Sequence, residues 1–171
     1  MKITTVQIAL AGVFTALALA IPLLFRGSLQ FFVPAVGYSA TLASHVPVML
    51  SIVGGPIVAA IVGAGSTVGF FITLGPVVAA RASTHILFGV AAAIALRRGM
   101  SFGKSLFIVA LPLHAIPEGL VVMLFAVPLQ GALINVAGGA VQHVADSIIS
   151  LLIFRAAIPV IRRWGLGSSR T

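Results

Sequence analysis

The chain has 171 residues, 60% of them hydrophobic and only 7% charged, with a mean hydropathy of +1.24. Soluble domains carry roughly 25% charged residues to cover their surface, so ten basic and two acidic side chains exclude a water-soluble fold. The absence of cysteine excludes a disulfide framework, a thiolate metal site and a cysteine nucleophile.

The predicted elements follow from charges, glycines and prolines. A first apolar span, 4–25, ends at Arg26. Its apolar run resembles a signal peptide, but the rest of the chain is equally hydrophobic, so it reads as an uncleaved first helix. Residues 27–41, with Phe31, Phe32, Pro34, Gly37 and Tyr38, are too broken for a helix. A second span, 42–53, stops at Gly54-Gly55-Pro56 and is short enough to cross only in part. A third, 56–74, starts on a proline suited to a first helical turn, and Gly75-Pro76 leads into a fourth, 77–96, closed by Arg97-Arg98-Gly99. The fifth and sixth cover 105–127 and 132–161, the last ending in Arg162-Arg163-Trp164. The expected fold is an all-α integral membrane protein, one domain over 1–171 with six transmembrane helices.

Charge orients it. With the amino terminus cytoplasmic, Lys2, Arg97, Arg98, Lys104, Arg162, Arg163 and Arg170 fall inside, with Arg155 near that surface. Arg26 alone falls outside and Arg81 lies within the membrane. This positive-inside bias predicts a multi-pass cell-membrane protein with both termini cytoplasmic, and Trp164 as an interfacial anchor. The net charge of +8, a sign of nucleic-acid binding in a soluble chain, is thereby explained, and no nucleic-acid partner is implied.

The polar residues inside the spans are the informative feature. His45, Arg81, His85, His114, Glu118, Asn135, Gln142, His143 and Asp146 all fall between the outer surface and the middle of the bilayer. Arg81 and His85 are four apart, as are His114 and Glu118, so each pair shares a helix face. A charge in the bilayer core costs at least about 2.5–3.5 kcal/mol, so these groups must face inward, pair, or line a wet cavity. A single intramembrane histidine often serves as interhelical glue worth about 0.6 kcal/mol, and Glu118 and Asp146 have neutralisation of Arg81 and a histidine as an alternative role. Together, however, the stripes predict an outward-opening pocket capped by 27–41. One arginine among neutral imidazoles favours a small carboxylate, and Phe31, Phe32 and Tyr38 are placed to cover a flat ring.

On the first helix, Ala9, Gly12, Ala16 and Ala20 recur at the three- and four-residue spacing that lets helices approach closely. They suit either a neighbouring span or a partner protein. The chain has no phosphate-binding loop, so any ATP-driven step must come from another polypeptide.

In these features the chain resembles the substrate-binding S components of energy-coupling factor transporters. The segments Ser44-His45-Val46-Pro47, Arg81-Ala82-Ser83-Thr84-His85 and Gln142-His143-Val144-Ala145-Asp146 look like the niacin-specific branch. The resemblance implies a six-helix S-component bundle that captures niacin outside the cell. It further implies partnership with a transmembrane coupling protein and two ATP-binding subunits, with Gly12, Ala16 and Ala20 as the docking face. The implied substrate-binding set is Arg81, His85, His45, His114, Glu118, Gln142, His143 and Tyr38, with no cofactor, no resident metal and no catalytic residue. The start Met1-Lys2-Ile3 lacks the Met-His beginning of cobalt and nickel S components. Two other readings use the same residues: another small vitamin precursor or a transition metal as cargo, and an intramembrane enzyme using His114/Glu118 or His143/Asp146 as acid and base.

Overall fold

A computed structural model describes residues 3–163; Met1, Lys2, Trp164 and Arg170, which carry part of the reading above, lie outside the described residues. Helix α1, Thr5–Leu24, starts with a capping box in which Thr4 Oγ1 accepts from Gln7 N–H and Gln7 Oε1 accepts from Thr4 N–H. An antiparallel hairpin follows, β1 (Gln30–Val33) and β2 (Tyr38–Thr41), paired from Gln30↔Thr41 to Val33↔Tyr38. Its turn is a short 3-10 segment, Pro34–Val36, closed by Gly37 at φ +61. Helix α2, Val46–Ser51, and a 3-10 turn, Ile52–Gly54, then lead to α3, Pro56–Leu74. Helices α4 (Pro76–Ala82) and α5 (Thr84–Arg97) form one apolar rod with a break at Ser83. The next rod is α6 (Phe102–Lys104), a π-helical stretch (Ser105–Ala110) and α7 (Leu111–Met123). Helix α8, Leu129–Arg163, ends the described chain.

Among the described residues, five helices are long and apolar enough to cross a membrane: Thr5–Leu24, Pro56–Leu74, Pro76–Arg97, Phe102–Met123 and Leu129–Pro159. Their flanks carry exposed Ile8, Val13, Phe71, Ile116 and Leu152, the pattern of helices solvated by lipid rather than water.

Two features differ from the sequence reading. The molecule is mostly helical but not all-α, because 27–41 holds the hairpin. Phe31, Phe32, Val33 and Tyr38 are strand formers, while Pro34 and Gly37 supply the turn. The second span, 42–53, is also not one helix: residues 42–45 are a turn with Ala43 at φ +62, and only Val46–Ser51 is α-helical. Together with its 3-10 turn, this piece rises only about 13 Å. It still returns the chain to the end where α1 begins, since Gln7 Nε2 donates to Gly54 O at 2.7 Å.

The apolar core joins Val48 and Met49 of α2 and Ile52 of the 3-10 turn to Ala59 and Val62 of α3, and to Phe88 of α5. Close approach needs glycine at Gly63, where a Cβ would lie 2.8 Å from the Ile86 backbone nitrogen. Phe88 closes this core at the level where the polar residues begin.

Candidate functional site

The hairpin lies across the helix ends, with Gly37 against Val77 of α4 and Val36 against Gly131 of α8. Non-helical backbone at membrane depth must have its polar groups satisfied by protein or line a cavity. Side chains from two helices, α4 and α8, provide this. Arg81 Nη1 donates to Gly37 O at 3.0 Å and to Ser39 Oγ at 3.4 Å, and its Nη2 donates to Ser39 O at 3.4 Å. Asn135 Nδ2 donates to Val36 O at 2.8 Å, and Gln142 Nε2 to Thr41 O at 2.9 Å and Ser44 Oγ at 3.0 Å.

The two carboxylates divide their work. Glu118 Oε1 accepts from Arg81 Nη2 at 3.0 Å and stands 3.5 Å from His114 Nε2. Asp146 holds the turn before α2: Oδ1 accepts from Ala43 N–H at 2.9 Å and Oδ2 from His45 N–H at 3.1 Å. The same Oδ2 is 2.9 Å from His45 Nδ1. Asp146 thus secures both a left-handed alanine and a histidine ring.

All four histidines meet beneath the hairpin. The His45 ring centroid is 4.3 Å from that of His114 and 4.8 Å from that of His85, and His114 lies 5.0 Å from His143. His85 Nδ1 shares a 2.8 Å hydrogen bond with Ser66 Oγ. His143 Nε2 donates to Leu106 O at 3.3 Å. That carbonyl lies in the π-helical stretch, just before Pro112, which contributes no N–H to the ladder; there Leu111 N–H reaches back five residues to the same oxygen.

Tyr38 turns inward, with the Arg81 guanidinium carbon 5.2 Å from its ring centroid. A Cβ at Gly138 would collide with this ring. Phe31 and Phe32 instead point outward and are 62% and 41% exposed, so they do not cover the centre.

The structure therefore gathers Arg81, His85, His45, His114, Glu118, Gln142, His143 and Tyr38 around one buried centre. It is closed rather than outward-opening. Arg81 is 2% exposed, and the cavity lined by Ser39, Ser44, His45, Arg81, His85 and Gln142 is only about 10 Å³, room for one water at most. On the far side of Gln142 a groove of about 460 Å³ runs between the hairpin and α8. Ser39, Thr41 and Ser66 join the centre without a sequence signal, because small hydroxyl residues occur throughout membrane helix contacts. On α1, Ala11 and Ala18 are buried, whereas Gly12 and Ala16 are exposed and Ala20 is half-buried. No family model, curated protein or solved structure matches the chain.

Proposed function

We propose that this chain is the solute-binding S component of an energy-coupling-factor importer and that its ligand is a small planar carboxylate, niacin in the first instance. The observation that carries the reading is the placement of Arg81, a buried guanidinium directly under the hairpin and held between backbone carbonyls and Glu118. The arrangement is an occluded state. When the hairpin lifts, the guanidinium edge now given to Gly37 O and Ser39 O becomes available to a ligand carboxylate as a charge-assisted fork. His85 and Gln142, which line the same cavity, then face the ring. Glu118 keeps the arginine neutralised while the site is empty.

Six crossings with both termini cytoplasmic complete the proposed topology, the short 42–53 segment with α2 and its 3-10 turn making the second. Gly12, Ala16 and Ala20 form the docking face for a membrane coupling protein, and two further subunits supply ATP hydrolysis. No catalytic role is assigned to this chain.

Radiolabelled niacin should bind the detergent-purified protein. Both Arg81→Lys and Arg81→Ala should weaken binding by about 10–100-fold, the loss of a charge-assisted hydrogen-bond pair worth about 1.5–3 kcal/mol. Arg26→Ala should leave binding unchanged. Equal affinities in the Arg26 and Arg81 variants overturn the role of Arg81. Mass spectrometry of the small molecule released on denaturation identifies the ligand class, and a vitamin precursor other than niacin would replace niacin in this reading.

A further inference from the structure

The hairpin accounts for Arg81, Asn135 and Gln142, whose side chains bond its backbone, but it does not explain the histidines. Neither nitrogen of His114 has a hydrogen-bond partner, nor does His143 Nδ1, and both side chains are fully buried. Leaving such groups unpaired costs about 1–3 kcal/mol each, and buried polar groups in native proteins are almost always satisfied. One ligand nitrogen from each of His45, His114 and His143 lies within 4.8 Å of the other two.

We infer that His45, His114 and His143 form a binding site for a divalent late first-row transition ion of the Zn2+/Ni2+ class. The distances fit. Three points no more than 4.8 Å apart share a centre within about 2.8 Å of each. Zinc–imidazole bonds are about 2.0–2.1 Å, so each ring needs to move inward by about 0.7 Å.

The surroundings fit as well. Metal-bound histidines usually donate their second ring nitrogen to a carboxylate or backbone carbonyl, which sets the tautomer. Asp146 Oδ2 sits 2.9 Å from His45 Nδ1, and Leu106 O accepts from His143 Nε2. Nδ1 of His143 is thereby left with a free lone pair, and the Asp146 carboxylate stands close enough to His45 Nδ1 to take its proton's hydrogen bond once Nε2 binds an ion. His85 is likewise engaged at Nδ1 by Ser66 and lies edge-on to His45. Phe88 supplies an apolar floor, its ring centroid 5.3 Å from His114 and 5.2 Å from His143.

Arg81 is the obvious objection to a cation, and its geometry answers it. Its guanidinium is paired with Glu118, and Asp146 adds a second negative charge beside His45. The charges around the triad therefore sum to minus one with neutral imidazoles. Imidazole donors suit zinc, copper, iron and nickel rather than magnesium or calcium. This site stands without the niacin reading.

The test uses full-length protein purified through a histidine-free tag, stripped of metal and titrated with Co2+ as a spectroscopic probe. One cobalt per chain is expected, with X-ray absorption showing three imidazole nitrogens, displaced by Zn2+ and accompanied by a rise in Tm. Asp146→Asn should weaken binding about 10–100-fold, as loss of a supporting carboxylate does, and His114→Ala/His143→Ala should abolish it. Wild-type protein that binds no cobalt, or binds it without imidazole ligation, overturns the site, as does undiminished binding in the double variant. The wild-type titration decides even where the double variant fails to fold. Niacin binding is measured separately on stripped and loaded protein, so the two readings fail independently.

Discussion

Asp146 accepts two backbone N–H groups from the turn before α2 and stands against His45. Ala43, one of the groups it holds, is in the left-handed region at φ +62, which costs a residue with a Cβ about 1–2 kcal/mol. Replacing Asp146 by alanine strands one buried and one half-buried donor and leaves a buried imidazole without its carboxylate, so Asp146→Ala should cost about 3–5 kcal/mol, read as a large drop in Tm. An unchanged Tm would show that the turn is held by other contacts. Glu118 poses the complementary case. Glu118→Gln removes the only carboxylate on Arg81 among the described residues while keeping its shape. Ligand carboxylate then meets an uncompensated guanidinium, so niacin affinity should rise even as thermal stability falls. A variant that loses both would place Glu118 in the ligand contact itself.

At the level of elements, the proposed function rests on the hairpin and α1. The hairpin seals the centre because its carbonyls point at helix-borne donors, which is how a polar backbone survives where water is scarce. Gly138 makes room for Tyr38, so Gly138→Val should push the ring and β2 outward. The expected outcome is faster ligand exchange and a lower Tm; tighter closure would contradict the proposed lid. On α1, a Cβ at Gly12 meets nothing within 4 Å, and Ala16 is exposed. Leucine at either position should therefore change stability by no more than about 0.5 kcal/mol and leave ligand binding intact. In cells that also make the coupling and ATPase subunits, the same variants should lose uptake. Unimpaired uptake would remove α1 as the docking face. Where α3 meets α5, by contrast, Gly63→Ala forces a methyl onto the Ile86 backbone. A cost of about 1–3 kcal/mol is expected, with weaker ligand binding because His85 lies at the same contact.

For the whole molecule, the prediction concerns sidedness. The chain contains no cysteine, so single introduced cysteines report accessibility without background. Ser28, just beyond α1, and Lys104, between α5 and the π-helical stretch, are exposed. An impermeant maleimide should label Ser28→Cys on intact cells and Lys104→Cys only after permeabilisation. Labelling of both from one side would refute the six-crossing topology. Helix α8, at 35 residues, is about 52 Å long against a hydrocarbon core of about 30 Å, so part of it extends past the membrane or it tilts strongly.

Composition and periodicity were sufficient for a mostly helical chain with rods long and apolar enough to cross a membrane. Glycine–proline pairs such as Gly55-Pro56 and Gly75-Pro76 end and restart helices for local steric reasons. The polar layer was legible too, because a charge in the bilayer is too costly to be incidental. Partner choice within that layer was not. Glu118 pairs with Arg81, 37 positions away, and Asp146 holds a turn about 100 positions away; no local rule links residues that far apart. The hairpin escaped for a related reason: four-residue strands carry little periodic signal, and the carbonyls left over from their pairing are met by donors from α4 and α8, far off in sequence. Whether histidines on four separate segments stand apart or face one another depends on helix rotation and crossing. Those are set by close contacts such as Gly63 on Ile86, which exist only once the chain has packed.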